Sequence, residues 1–574
     1  MKTYRFLASL AAPLLVLAPT GPSPALGQSA PAECPDPGAL TAGFEGPMAH
    51  VRYLADDALE GREVASAGER CAAAYIVDQF EAMGLLPAGD HHTFYQSWDV
   101  RVGSQLASGN QFTIEQGAES LELALGEAWI PFGYSGPGPV DGRATAMPEG
   151  QGAGQPHTLD GVVLLLEGTS DPHRAASEAA RLGAAAVVVL LGEGDALPAL
   201  DSERRAALGI PVVAVTTAGA EALRSAAENQ GTARISASVE PLMKTARNVA
   251  AIIPGTSDQG TVIVGAHYDH LGRGGEGSLS PNDFGTIHNG ADDNASGTAA
   301  LIEVAERLAA GPPPAQSVLF LAFSGEERGL WGSAQYVQAP LLPLESTLAM
   351  LNMDMVGRVT ADKLTVFGTG TAEEWEQLLA HANQGPLELQ LVADGYGSSD
   401  HSSFYAQGIP VLHFFSGTHA EYHRTQDDWE LINEQGLKDV TNLVGRVAEA
   451  LAGPGDRVAL TAVEGAGNPH AAPGGDAADA PARSDFSVRL GTIPNYSQEE
   501  GGMRISGVRD DSPAAKAGIQ GGDVIVRFGE RPVEDVYGYM YALQDHQPGD
   551  VVEIEVLRGE ERLVITVTLE GGAG

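Results

Sequence analysis

Residues 261–272 read TVIVGAHYDHLG, an apolar run that stops at a histidine, a tyrosine and an aspartate. A short run without alternation reads as a strand buried on both faces, the kind that parallel sheets contain. The pattern recurs downstream. SVLFLAF (317–323) leads into Ser324, Gly325, Glu326 and Glu327; TLAMLNM (347–353) leads into Asp354; IPVLHFF (409–415) stands shortly before His423. Between the first two runs, NGADDNASG (289–297) holds Asp292 and Asp293 and opens an amphipathic stretch, NASGTAALIEVAERLAA (294–310), that reads as a helix. Strands alternating with helices over 246–453 imply an α/β fold with a mixed, mostly parallel sheet flanked by helices.

Open α/β sheets bind their ligands outside the carboxyl ends of the strands. In this chain each such end presents an acid or a histidine. Taken singly, an aspartate before a helix is a cap and a histidine near a turn is surface. Five such positions at one sheet edge instead imply a shared cation. Imidazole nitrogen and carboxylate oxygen, with no cysteine in these segments, suit zinc best.

GAHYDHLG (265–272), NGADDNASG, FSGEERGLWGS (323–333), LNMDMVGR (351–358) and SSDHSSFYAQGIPVLHFFSGTHAEYHRTQDD (398–428) together resemble the M28 family of co-catalytic zinc aminopeptidases, and YLADDALEGR (53–62) resembles that family's N-terminal segment. The resemblance implies the zinc-dependent exopeptidase fold and two Zn2+ per chain. Asp293 would bridge them, His267 and Asp354 completing one site, Glu327 and His423 the other. It implies Glu326 as catalytic base and a cis peptide after Asp293. Two residues beyond His267, Asp269 is placed to hold that imidazole through its other nitrogen. Asp400 and His401 either support the pocket or cap a helix; Arg62 and His288 fit the pattern without a role.

The chain opens with Lys2 and Arg5, an apolar run from Phe6 to Ala18, and small residues around Ala25 to Gly27. This reads as a signal peptide over 1–27, hence a periplasmic or extracellular protein; the run is too short and contains Pro13, which argues against a membrane anchor. In an oxidising compartment the only two cysteines, Cys34 and Cys71, can form one disulfide, the alternative being two free buried thiols. A formal net charge of -42 excludes nucleic acid and anionic membrane as partners, because phosphates would be repelled.

Four further regions surround the chemistry. The N-terminal part of the peptidase domain (34–128) includes a helix in which Tyr75, Ile76, Phe80 and Met83 share a face before Gly84. Residues 129–243 alternate strands (LDGVVLLLEG, AAVVVLL, GIPVVAVT) with an alanine-rich helix and resemble an inserted, β-rich α/β protease-associated (PA) domain. Residues 454–483 are rich in Ala, Gly, Pro and Asp and read as a flexible linker. Residues 484–571 resemble a PDZ domain, a small β-sandwich or barrel with a helix over Pro513 to Ala517. That likeness implies a groove for an extended peptide C-terminus near Leu490 and Gly491.

The expected function is removal of N-terminal residues from peptides. A carboxypeptidase or dipeptidase would use the same metal set, differing in whether the pocket neutralises an amine or a carboxylate. Glutaminyl cyclisation on one zinc, or an inactive scaffold for the flanking modules, would require an incomplete donor set.

Overall fold

The computed structural model describes residues 34–146, 159–169, 172–200, 207–257, 260–274, 278–279, 285–454, 458–461, 488–494 and most of 502–571. The expected signal peptide, and nearly all of the expected linker, lie outside the described residues.

Nine strands form the main sheet. Its order is Leu86–Pro87, Val239–Ile253, Ser317–Phe323, Thr261–His267, Thr347–Met353, Val411–Phe415, Lys363–Phe367 and Glu388–Val392, with Tyr95–Leu106 also paired to Val239–Ile253. Thr261–His267 runs parallel to both of its neighbours, and Thr347–Met353 runs parallel to Val411–Phe415. Antiparallel pairs flank this centre on either side, so the sheet is mixed, as expected. Thr261–His267 and Val411–Phe415 are buried at every position, which explains why neither alternates. Gly265 is glycine because a Cβ there would fall 2.6 Å from the Phe323 ring on the adjacent strand.

Helices cover both faces. Ala67–Ala82, Gly297–Ala310 and Glu434–Ala452 pack one side through Phe80, Leu301, Val304, Leu437 and Val444 onto Val264, Phe320 and Leu351. Trp331–Gln338 and His401–Tyr405 cover the other, where Tyr336 and Phe404 meet Ile263, Leu321 and Met350. Side-chain caps start two of these helices: Ser66 Oγ accepts the Glu69 N–H at 3.1 Å, and Asn433 Oδ1 accepts the Gly436 N–H at 3.0 Å. The first ends ahead of Gly84, which adopts φ +79, and Tyr75, Ile76 and Phe80 are buried along it.

A second, eight-stranded sheet has the order Glu119–Leu123, Gln111–Gln116, Thr232–Ser236, Val140–Ala146, Val162–Glu167, Ala186–Leu190, Val212–Val215 and Trp129–Pro131. Pro172–Arg181 and Thr217–Glu228 are its helices. It draws in a hairpin, 111–123, that precedes the apolar runs read from the sequence. An antiparallel ribbon, Tyr95–Leu106 against Val239–Val249, runs from this sheet into the edge of the main one.

The C-terminal residues form a separate six-stranded sheet of Thr492–Pro494, Met503–Val508, Val524–Phe528, Val551–Arg558 and Glu561–Thr568, with Arg531–Pro532 paired to Val524–Phe528, around Ile505, Phe528, Ile554 and Val567. Its helix spans Pro513–Ala517, capped by Ser512. Gly491 adopts φ +81, and a Cβ there would lie 2.3 Å from Ser512 Cβ, so the loop passes close over the helix start. Cys34 and Cys71 are both disulfide-bonded. Among the described residues no helix is long and apolar enough to cross a membrane.

Candidate metal centre

His267 is the last residue of its strand, and Asp354 directly follows the neighbouring strand that ends at Met353. Parallel register therefore sets them side by side, with His267 Nε2 3.3 Å from Asp354 Oδ1. Asp293 arrives from the irregular turn Ala291–Ser296, which opens helix Gly297–Ala310 and contains a cis Asp293–Asn294 peptide. Its Oδ1 lies 3.4 Å from His267 Nε2, and its Oδ2 lies 3.1 Å from His423 Nε2. His423 in turn sits 3.2 Å from Glu327 Oε2. The structure thus brings all five candidate ligands together, in two groups that share Asp293.

These distances fit a metal-binding donor set. Donor atoms about 2.0–2.1 Å from a tetrahedral zinc are separated by roughly 3.3 Å. The four contacts above fall between 3.1 and 3.4 Å. His267, Asp293 and Asp354 offer atoms that all lie within 4.8 Å of one another, and so do His270, Asp293 and Glu327.

Charge points the same way. Asp269, Asp293, Glu326, Glu327 and Asp400 are buried, and Asp354 is half-buried. Burial disfavours charge on the imidazoles, yet Asp354 and Glu326 hold His267 well above its ordinary pKa, and Glu327 and Asp293 do the same to His423. The carboxylates that hold a proton on each ring are the ones that would hold a cation against it. Burial opposes ionisation of Glu327 too, but His423 and His270 bring its carboxyl well below the usual range.

Glu326 enters from the turn after Ser317–Phe323, reached through Gly325 at φ +76. Its Oε2 is 3.9 Å from His267 Nε2, farther than any of the donor contacts above. Burial pushes its carboxyl well up, and Asp354, Glu327 and Asp400 add to this against the pull of His267. Asp269 faces Nδ1 of His267 at 3.7 Å through its carboxylate and 3.3 Å through its carbonyl oxygen. The closer partner of that carboxylate is the backbone N–H of Glu326, at 3.1 Å. Asp269 therefore ties the strand end bearing His267 to the turn bearing Glu326.

Several neighbours had no role assigned from the sequence. His270 Nδ1 lies 2.6 Å from Glu327 Oε1. Arg62, fully buried, donates to the carbonyl oxygens of Tyr268 and Asn289 at 2.8 Å, of Gly290 at 3.1 Å, and of Leu54. Burial lowers its pKa to about 10, against the pull of Asp269 and Asp293. Glu69 Oε1 accepts from the Tyr268 hydroxyl at 2.8 Å and the Ser324 hydroxyl at 2.5 Å; burial outweighs both bonds and raises its pKa to about 7. Asp427 accepts backbone N–H groups of the 291–296 turn, and burial beside Asp292 pushes it up to about 6. Contacts between segments distant in sequence, 57 positions apart for His270 and Glu327 and 255 for Glu69 and Ser324, give these side chains their setting.

Asp400 and His401 are fully buried at the start of His401–Tyr405. Asp400 makes no capping bond. Burial raises its pKa to about 7, opposed by His267 and by the Ser333 hydroxyl. His401 stacks on His413 with ring centres 4.4 Å apart. His288 is a turn residue whose Nδ1 pairs with the Thr286 carbonyl and whose Nε2 pairs with Ser278.

The sequence pattern of peptidase family M28 matches residues 248–448, and that of the PDZ domain matches residues 491–569. Among curated proteins, Aminopeptidase YwaD of Bacillus subtilis (strain 168) is 27% identical over 354 residues, 58% of this chain and 73% of its own length. The Probable lipoprotein aminopeptidase LpqL of Mycobacterium tuberculosis (strain ATCC 25618 / H37Rv) is 27% identical over 410 residues, 67% of this chain and 75% of its own. Among solved structures, BSAP, a zinc aminopeptidase from Bacillus subtilis, aligns at 23% identity and a TM-score of 0.45, covering 74% of this chain and 97% of the other. Residues 248–448 therefore carry a peptidase M28 domain, and residues 491–569 carry a PDZ domain.

Proposed function

We propose that this chain is an exported aminopeptidase that works with two zinc ions and uses Glu326 as its general base. The reading rests above all on Asp293, whose two carboxylate oxygens face different histidines. One ion would be held by His267, Asp293 and Asp354, the other by Asp293, Glu327 and His423. When bound, such a pair acidifies water, polarises the scissile carbonyl and offsets the negative charge of the tetrahedral intermediate.

The chain's own groups move the proton. Glu326, left out of the close donor contacts and raised in pKa by burial, takes a proton from the attacking water at its carboxylate. It then returns that proton to the departing amine nitrogen as the C–N bond breaks. Asp269 fixes the backbone of the base through the Glu326 N–H. The surplus of carboxylates favours a substrate that presents a protonated α-amine. A carboxypeptidase would need a cation facing the substrate's carboxylate, and the nearby Arg62 is committed to four carbonyl oxygens. The named relatives are aminopeptidases as well.

The flanking regions fit this activity. The 111–236 sheet would act as a PA-like module that screens substrate, and the PDZ domain would hold an extended peptide C-terminus by strand addition. The N-terminal sequence and the bonded cysteines favour export. The test is metal analysis of the full chain together with turnover of aminoacyl substrates and their N-blocked counterparts. Two zinc ions per chain and strong preference for the free amine are expected. Equal turnover of both substrates would remove the aminopeptidase reading, and fewer than two ions would remove the two-metal reading.

A further inference from the structure

We propose that His270 is a positioning residue for the second metal ion: it holds Glu327 Oε1 so that Oε2 turns to the cation, and is not itself a ligand. This rests on the two-metal reading above. His270 lies three residues past the strand end, is 1% exposed, and sets Nδ1 2.6 Å from Glu327 Oε1. An ionised carboxylate only accepts, so Nδ1 carries the proton. Two ligands of one tetrahedral zinc stand roughly 3.3 Å apart, whereas a charge-assisted hydrogen bond closes to about 2.7–2.9 Å or a little less. By that measure the His270 contact is a hydrogen bond. The His423 contacts, 3.2 Å to Glu327 Oε2 and 3.1 Å to Asp293 Oδ2, are ligand spacings.

The histidines therefore divide the carboxylate, His270 taking Oε1 and His423 facing Oε2. The His270 ring has little freedom to do otherwise. Gly290 adopts φ +56, and a Cβ there would lie 2.5 Å from the ring's Cγ and Cδ2, so the ring lies flat against backbone. The backbone N–H of His270 donates to the Arg62 carbonyl at 3.2 Å. Nε2 is buried and meets no hydrogen-bond partner among the described residues, which leaves Glu327 as the polar anchor of the ring. A glutamate fixed at one oxygen loses less side-chain freedom when the other binds metal, which is how an outer partner raises affinity. The competing assignment, His270 with Asp293 and Glu327 as a ligand trio, needs the 2.6 Å contact to open.

Stepwise zinc binding to the full chain, read by chelator competition, separates these assignments. The variants are His270→Ala, His270→Asn and His423→Ala, each checked for folding by circular dichroism. His270→Ala should bind the first ion as the unaltered protein does and the second about 10- to 100-fold more weakly. His270→Asn, whose amide N–H can stand where Nδ1–H stood, should restore the second affinity to within about threefold. Equal affinities in His270→Ala overturn the proposal. So does an Asn variant as weak as the Ala one while His423→Ala keeps both ions, since His270 would then be the ligand. Should His270→Ala fail to fold, the Asn variant decides alone: a loss beyond about tenfold overturns the proposal. Fewer than two ions on the unaltered chain would be a different failure, that of the two-metal reading.

Discussion

Asp427 Oδ2 accepts the backbone N–H of Asp293 at 3.0 Å, and the same oxygen takes the N–H of Asp292 at 3.0 Å. The loop that brings His423 thereby grips the turn that brings the carboxylate facing both histidines. Separate stretches of chain are set to one geometry by a side chain that touches neither imidazole of the two groups.

Replacing Asp427 with Ala would leave those buried N–H groups without an acceptor. Each such loss costs about 1–3 kcal/mol. A drop in unfolding free energy of about 2–5 kcal/mol is expected by urea denaturation, with a smaller loss for Asp427→Asn, which retains one acceptor. An unchanged midpoint for the Ala variant would show that water or a shifted backbone replaces the carboxylate.

Arg62 bonds four carbonyl oxygens drawn from three segments of the chain. Lysine keeps the charge but lacks the planar fork, so it can serve only some of them. Arg62→Lys should lower stability by about 2–4 kcal/mol and loosen zinc at both sites, because Tyr268 and Gly290 adjoin ligand-bearing segments. Calorimetric melting that left Arg62→Lys within a degree or so of the unaltered protein would contradict the assignment.

Glu69, which is not itself a candidate ligand, supplies a pH test. Its folded pKa of about 7 lies above the 4.5 of an ordinary glutamate. A raised acid binds more protons folded than unfolded, so its contribution is intact below about 4.5 and is lost as pH climbs toward 7. Glu69→Gln cannot ionise. Relative to the unaltered protein it should gain stability between pH 5 and 8, by something on the order of 3 kcal/mol. Urea midpoints at both pH values, in saturating zinc, give the answer; a pH-independent difference would mean that Glu69 is not so shifted.

Glu326→Gln should keep both metal ions and the fold while turnover falls by about 100- to 10,000-fold, the usual weight of a general base. Steady-state kinetics with metal analysis on the same sample makes the comparison. A variant near the unaltered rate would take the base role from Glu326.

The sheet and the gathering of the five candidate ligands at its edge were legible because strand periodicity and strand ends are local properties. His267 and Asp354 can be placed at one edge from nothing more than apolar runs that stop at a polar residue. His270 was not legible. It sits in the turn after the strand, where its direction depends on Gly290, a residue of another segment. Arg62 is similar, since its acceptors include residues more than two hundred positions away. The hairpin 111–123 escaped for a different reason: QFTIEQGAESLEL is half polar and short, and only pairing of Gln111–Gln116 with Thr232–Ser236 reveals it as sheet.

The antiparallel ribbon, Tyr95–Leu106 against Val239–Val249, makes the two sheets modular. The described residues between 107 and 238 leave and return along this one ribbon. The four central parallel strands, which bring His267, Glu327 and Asp354 into place and precede the loop of His423, keep their neighbours whatever hangs on that ribbon. The appended sheet can thus be trimmed or exchanged without removing a partner from the parallel pairs that set the candidate ligands.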